Sequence, residues 1–516
     1  MKTFTHSAIV ALGTVTLCTL FLTAPYVSPT HDGVYHLNSS ALSPYLAVAL
    51  DVCLLWLVLT GLLLLAERYS PLRVLLWSGL ILFLPWVLME NWRALMGWHS
   101  FFLISRLVFI IASVSFVAVL CLWRPSFLPV LDSIQRFTAT LLSFSSLVGV
   151  VILSQLLWFG WQTRATLHSA PRLHPRQIVS TNAVPRTRVI WILLDELSYQ
   201  QVYEQRFPGL QLPAFDQLAA QSTVFTHTIP TSNSTETAVP SLITGSSIDR
   251  LRVSVDGQLR SLHNSVSGAW QPFDPHQTVF QDALNRGYST GIAGWFNPYC
   301  RILSQVLDQC FWVVRPPWSV TLRQLISQAW SVLLRRLLPN GAIDLDNVEN
   351  HIADYRDLLS AGDRLLADPS SDFIFLHMPI PHPGGIYDRK RGSFTTRHSS
   401  YIDNLALADQ YLSHVRRLLE QHGQWDSSVV IVMGDHSWRT LTWSSSPEWT
   451  AEEQLASHGG QFDDRPAYIV KLPYQQNAAH IDTPFAATHT RALLDAIMGN
   501  QIRSLADLQN WVQQQR

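Results

Sequence analysis

Apolar residues follow two rhythms along this chain. Through the first 163 positions they form long unbroken stretches. Five of these, at about 7–24, 44–66, 71–89, 100–122 and 138–161, reach the roughly 17–25 residues that a helix needs to cross a bilayer. Beyond residue 187 they break into short β-branched runs alternating with helical periodicity, the pattern of an α/β domain with a mostly parallel sheet between helices. Strands are predicted at 188–194, 222–228, 288–293, 372–377, 428–433 and 467–472. Helices are predicted at 213–221, 235–244, 277–286, 348–367, 398–421, 487–498 and 503–514. The predicted organisation is a five-helix transmembrane bundle over 1–161, an aperiodic linker over 162–187 and an α/β domain over 188–516. The stretch 318–338, apolar but carrying Arg323, Arg335 and Arg336, reads as an interfacial helix, with a sixth span and a buried domain helix as alternatives.

Charge gives this division a direction. The 516 residues include 36 Lys and Arg and 37 Asp and Glu, and only 12 of these charges fall in residues 1–163. The charged share is 14%, against about 25% in soluble domains, which argues against a wholly cytosolic enzyme. A net charge of −1 offers no electrostatic footing for nucleic acid. With the N-terminus inside, Lys2, Arg68, Arg73, Arg124 and Arg136 fall on the cytoplasmic side, against Arg93 and the nearby Arg106 opposite. The positive-inside rule and an odd number of spans then place the α/β domain outside the cytoplasm. A cleaved signal peptide is the alternative for the first stretch, and four further spans keep the protein integral either way. Arg106 reads as snorkelling from a helix end and Asp51 as interfacial. Cys18, Cys53 and Cys121 read as small apolar side chains within spans. Cys300 and Cys310 would close a short loop as a disulfide in an oxidising compartment.

Chemistry collects at predicted strand ends, where ligands bind in open α/β sheets. WILLDELS ends a strand at Asp195, IVMGDHS another at Asp435 and His436, and FLHMPIPH leaves the sheet with His377 and His382. The segment TSNSTETAVPSLITG places a hydroxyl at a helix start. Two acids and a histidine suit a divalent metal. A hydroxyl beside that metal and a helix N-terminus suits displacement at phosphorus or sulfur through a covalent intermediate. Taken singly, each piece has an ordinary reading: a strand-end Asp as a helix cap, an Asp-His pair as a capped turn, a Ser/Thr run as a loop. Their joint appearance in one domain favours the chemistry.

The set resembles the alkaline phosphatase superfamily in its sulfatase-like branch, and within it the membrane-anchored phosphoethanolamine transferases and lipoteichoic acid synthases. Those families also place five spans before an extracytoplasmic catalytic domain. The resemblance puts the nucleophile on Thr235, five residues before Pro240 and in register with the Leu242-to-Gly245 ending; Ser232, Ser234 and Thr237 are rivals in the same loop. It implies metal ligation by Asp195 (with Glu196 a rival), Thr235, Asp435 and His436. His377 and His382 match the His-x4-His motif that binds the phosphoryl group, and His458 matches the histidine of a later His-Gly step. Catalytic roles therefore fall on Thr235, His382 and His458, and substrate binding on His377, His382 and His458. Tyr401 and Asp409 match a helix whose role is structural. A formylglycine sulfatase needs Cys or Ser followed by x-Pro/Ala-x-Arg; Thr235 to Val239 offers neither Cys nor Arg, which favours phosphoryl transfer. The Lys390 cluster with Arg389 and Arg391 reads as a solvated loop, with a lipid head-group contact as the alternative.

The expected activity is metal-dependent transfer of a phosphoethanolamine- or phosphoglycerol-like group through a phospho-threonine. Zinc or manganese is the expected metal, with calcium as an alternative. The donor would be a membrane phospholipid and the acceptor an envelope lipid or glycan, at the outer, periplasmic face of a bacterial inner membrane. A phosphate or sulfate ester hydrolase using the same site, and a catalytically silent partner in envelope glycan assembly, are the alternatives.

Overall fold

The computed structural model describes residues 2–28, 32–36, 42–96, 124–163, 186–313, 345–397, 399–444, 446 and 448–515. Among them, contacts separate two compact units. One holds the apolar helices up to Thr163, and the other holds residues 35–36 with 186–313 and 345–515. The expected span at 100–122, the helix at 318–338 and most of the linker lie outside the described residues.

The first unit contains α1 (Lys2–Val27), α2 (Leu42–Arg68), α3 (Ser70–Met96) and α4 (Arg124–Thr163). Each carries a stretch long and apolar enough to cross a membrane, and four of the five expected spans fall on them. Val10, Ala11, Leu63, Trp77, Leu84 and Leu142 form their shared core. Small residues allow close approach, as in membrane bundles generally: a Cβ on Gly13 would lie 1.8 Å from the Leu142 carbonyl oxygen, and one on Gly149 would lie 2.2 Å from Thr16 Oγ1. Thr14, Thr16 and Thr19 return their hydroxyl protons to carbonyls four residues back. Leu57, Val58, Phe144, Leu147, Trp158 and Trp161 face outward. That inversion of the soluble pattern marks membrane anchoring.

The second unit is built on an eight-stranded sheet. Its strands are β1 (Val189–Leu194), β2 (Thr223–Phe225), β3 (Thr290–Trp295), β4 (Gln309–Val313), β5 (Phe373–Met378), β6 (Val429–Gly434), β7 (Tyr468–Lys471) and β8 (Ala479–Ile481). They lie in the order β8-β2-β7-β6-β1-β5-β3-β4. All neighbours pair in parallel except at β7, which is antiparallel to both β6 and β2. A strand covered on both faces must be apolar at every position, and VIWILL is. Ile190, Ile192 and Leu194 enter one core while Val189, Trp191 and Leu193 enter the other. The six predicted strands and seven predicted helices of this unit are present within a few residues. Strands β4 and β8 and a three-stranded antiparallel sheet over 248–272 were not foreseen. Cys300 and Cys310 are joined in a disulfide.

Candidate active site and metal centre

The carboxyl ends of β1 and β6, adjacent strands in register, deliver Asp195 and Asp435 side by side. The close passage after β6 requires Gly434, where a Cβ would stand 2.7 Å from the Leu197 carbonyl oxygen. Asp435 Oδ1 accepts the backbone N–H groups of Glu196 (3.1 Å) and His436 (2.9 Å), which fixes the turn. The His436 ring has its Nδ1 3.0 Å from the Ser437 carbonyl oxygen, so Nε2 points back toward the acids, 3.2 Å from Asp435 Oδ2 and 3.9 Å from Asp195 Oδ1.

Thr235 opens the helix Thr235–Thr244, with Ser234 extended at the cap and no side chain capping it. A helix start of this kind leaves backbone N–H groups facing whatever sits before it. The Thr235 hydroxyl is buried, 3.4 Å from Asp195 Oδ2 and 3.3 Å from His436 Nε2. Two of its rivals are engaged with each other: Ser232 Oγ and Thr237 Oγ1 lie 2.6 Å apart.

Asp195, Asp435 and His436 bring ligand atoms within 4.8 Å of one another, and all three are buried. Burial, together with the charges of Asp435 and Glu196, holds the Asp195 carboxyl well above its usual range. Burial opposes the charge of Asp435 as well, yet His436 and His377 leave it below its usual value. Among the described residues, Asp435 Oδ2, whose one near neighbour is His436 Nε2, and His377 Nε2 are buried without a hydrogen bond. Buried polar atoms are rarely left unmet, and two at one acidic cluster fit a cation and its ligand sphere. Zinc and manganese both accept such an Asp/Asp/His set, completed by the threonine oxygen.

A second grouping, Asp195, Glu196 and His382, also lies within ligand distance. Its Glu196 carboxylate is already taken. Glu196, in a left-handed conformation with φ +63°, forms an ion pair with Arg439 and accepts the Trp443 indole N–H at 3.0 Å. The Arg439 side chain also lies 3.4 Å from His382 Nε2. His382 sits between the rings of Trp295 and Trp443, with centroids 5.5 and 5.3 Å away. Burial, then the positive Arg439 and neighbouring His351, push its pKa well below the ordinary histidine value. His377, under the floor of the site, has its Nδ1 2.7 Å from the Tyr299 hydroxyl, and burial lowers its pKa to about 4.

The structure therefore brings together Asp195, Thr235, Asp435 and His436, with His377 and His382 alongside. His458 lies exposed on a turn at φ +49°, and among the described residues no hydrogen bond joins its ring to the cluster. Tyr401 donates to the Glu196 carbonyl at 2.8 Å, and Asp409 accepts the N–H groups of Ala214 and Phe215; both serve the framework, as expected. Arg389, Lys390 and Arg391 are paired with Asp403, Glu452 and Asp388, as befits a solvated loop. The residues missed were Arg439, Trp443, Trp295 and Asn297. Only Arg439 carried a sequence signal, its place three residues after the Asp-His pair.

The sequence profile described as Sulfatase matches residues 187–474. No curated protein matches the chain. Similar solved structures include the PsFucS1 sulfatase from Pseudoalteromonas sp., 14% identical over 61% of this chain and 68% of that one, with a TM-score of 0.41. A phosphonate monoester hydrolase of Agrobacterium radiobacter is 15% identical over 61% and 74%, with a TM-score of 0.39. The lipoteichoic acid synthase LtaP from Listeria monocytogenes is 14% identical over 61% and 72%, with a TM-score of 0.36.

Proposed function

The chain belongs to the sulfatase family as a sulfatase-like enzyme, and from that premise we propose that it transfers a phosphoryl group from a membrane phospholipid to an envelope lipid or glycan. The observation that carries this reading is the buried Thr235 hydroxyl, at a helix start and 3.3–3.4 Å from His436 and Asp195. In this position a formylglycine sulfatase would need a residue that threonine cannot become.

Asp195, Asp435, His436 and Thr235 would hold a divalent metal, zinc or manganese. When bound, the metal supplies positive charge that favours the threonine alkoxide and the phosphoryl oxygens. Thr235 Oγ1 attacks phosphorus, the bond to the glycerol oxygen of the donor breaks, and the threonine proton ends on that departing oxygen. The product is a phospho-threonine bearing ethanolamine or glycerol. Arg439 lends a fixed cation to the wall where phosphoryl oxygens sit. His382, kept neutral by its surroundings, takes the proton of the acceptor hydroxyl as that oxygen attacks phosphorus; the bond from phosphorus to Thr235 Oγ1 breaks, and a proton returns to that oxygen to restore the hydroxyl. His377 braces the floor. His458, on its exposed turn, is assigned no step. We place this chemistry on a domain over 188–516 at the periplasmic face of a bacterial inner membrane, held there by a membrane domain over 1–161.

The test is mass spectrometry of the peptide containing Thr235 from protein made in bacteria. Added mass of phosphoethanolamine or phosphoglycerol is expected and would identify the donor. An unmodified Thr235 together with phosphate ester hydrolysis would favour water as acceptor. A metal-free full-length protein with no turnover would sink the enzymatic reading.

A further inference from the structure

Tyr35 and His36 follow the first apolar helix in the chain by fewer than ten residues, yet Tyr35 is fully buried in the core of the second unit. Its hydroxyl donates to Asn297 Oδ1 at 3.2 Å, and Asn297 Nδ2 donates to the backbone carbonyl of Thr235 at 3.2 Å. Arg301 donates to the Tyr35 carbonyl. His36 packs its ring 4.2 Å from that of Phe296, with Nδ1 3.0 Å from the Phe296 carbonyl oxygen.

The grip falls on an unusual place. Phe296 holds φ +68°, a conformation that a bulky residue adopts only when its surroundings impose it. On either side stand the two residues that face the reaction. Trp295 packs its ring against His351, His377 and His382, and Asn297 holds Thr235. Asn297 is itself fully buried, so both ends of its amide are committed to this relay.

We propose that Tyr35 and His36 form a clamp that positions the active site: they hold the strained turn at Phe296 and, through Asn297, set the start of the nucleophile helix. Tyr35 is thus a positioning residue supplied by the segment between the first two apolar helices, far in sequence from every other residue of the site. This rests on the reading of Thr235 as the nucleophile.

The test uses the full-length protein in detergent, loaded with manganese, with bis(p-nitrophenyl) phosphate as the chromogenic probe. Tyr35→Phe removes one hydroxyl and leaves the ring in place. It is expected to lower kcat by about tenfold, the scale of a small misplacement of a reacting group, with KM and metal content unchanged. Combined with Asn297→Ala it should cost no more than Asn297→Ala alone, because both break the same relay. Additive losses, or a wild-type kcat for Tyr35→Phe, would overturn the proposal. Hydrogen exchange supplies a readout independent of turnover. Tyr35→Ala is expected to raise exchange in peptides spanning 293–300 and 232–240, and unchanged exchange there would count equally against the clamp. A wild-type protein that does not turn over the probe would speak against the phosphoryl-transfer reading, and the exchange result would then decide the clamp alone.

Discussion

The two ends of the central sheet both bury charge, and they treat it in opposite ways. At the end where the parallel strands begin, the Arg188 guanidinium donates to the carbonyls of Leu365, Leu366, Asp368 and Ser371 and to Gln424. It thereby closes the end of the helix Leu345–Ala367. Lys471, at the same edge and fully buried, shares its ammonium protons among the carbonyls of Trp425, Asp426, Ser428 and Leu472, and burial lowers its pKa to about 8. At the opposite end Asp195, Asp435, His436 and His377 are buried to the same degree, but among the described residues Asp435 Oδ2 and His377 Nε2 make no hydrogen bond, Asp435 Oδ2 standing only in its ion-pair contact with His436. Buried charge alone does not mark chemistry. What sets the second end apart is that its unmet atoms belong to ionisable side chains, whereas those beside Lys471, Ser428 Oγ and Trp425 Nε1, are neutral.

Substitutions at the two ends should therefore separate activity from stability. Thr235→Ala should reduce phospholipid turnover by about a thousandfold or more, as loss of a nucleophile does, while thermal melting stays near wild type. Retained turnover would end the contrast. Arg188→Met should do the reverse. It orphans several buried carbonyls and should cost roughly 3 kcal/mol of stability, read by denaturant melts, with turnover per folded molecule unchanged.

Arg439→Ala should lower turnover by about a hundredfold, the scale of losing one oxyanion-stabilising group. It should also move the acid limb of the pH profile. The Arg439 cation disfavours protonation of His382, so its removal raises the histidine pKa toward 6.5. Activity that needs neutral His382 would then be lost at a higher pH as the medium is acidified, which a rate profile below pH 7 would reveal. His458→Ala, the smallest effect, should leave turnover within about twofold, as expected for an exposed side chain outside the cluster. A large loss would bring that turn back into the site.

What could be read from the sequence follows from how locally each feature is encoded. VIWILL, FIFLHM and VVIVMG announce buried parallel strands by composition alone, and their last residues mark where ligands bind; Asp195, Asp435 and His436 were legible for that reason. Thr235 was singled out only by the family resemblance, which sets a threonine five residues before Pro240. The strand Ile248–Val253 was not legible, because register irregularities space its inward residues Ile248, Leu251 and Val253 unevenly and destroy the period of two. Glu196 and Asp195 could not be told apart by position. Only the neighbouring Arg439, 243 residues later, turns the Glu196 side chain away. Tyr35 and Asn297, separated by 262 residues, had no local signature at all.

The strand order has a consequence in time. β1 at the centre of the sheet pairs with β5 and β6, whose residues are synthesised about 180 and 240 positions later. Contacts so distant in sequence form slowly, because long loops must close before any pairing compensates them. A chain leaving the ribosome exposes VIWILL, an apolar edge on both sides, until residues 373–378 and 429–434 arrive to flank it. Truncation before residue 434 therefore yields an aggregation-prone fragment rather than a smaller domain, and the site, whose last acid–histidine pair is Asp435 and His436, comes into being only once the sheet is closed at its middle.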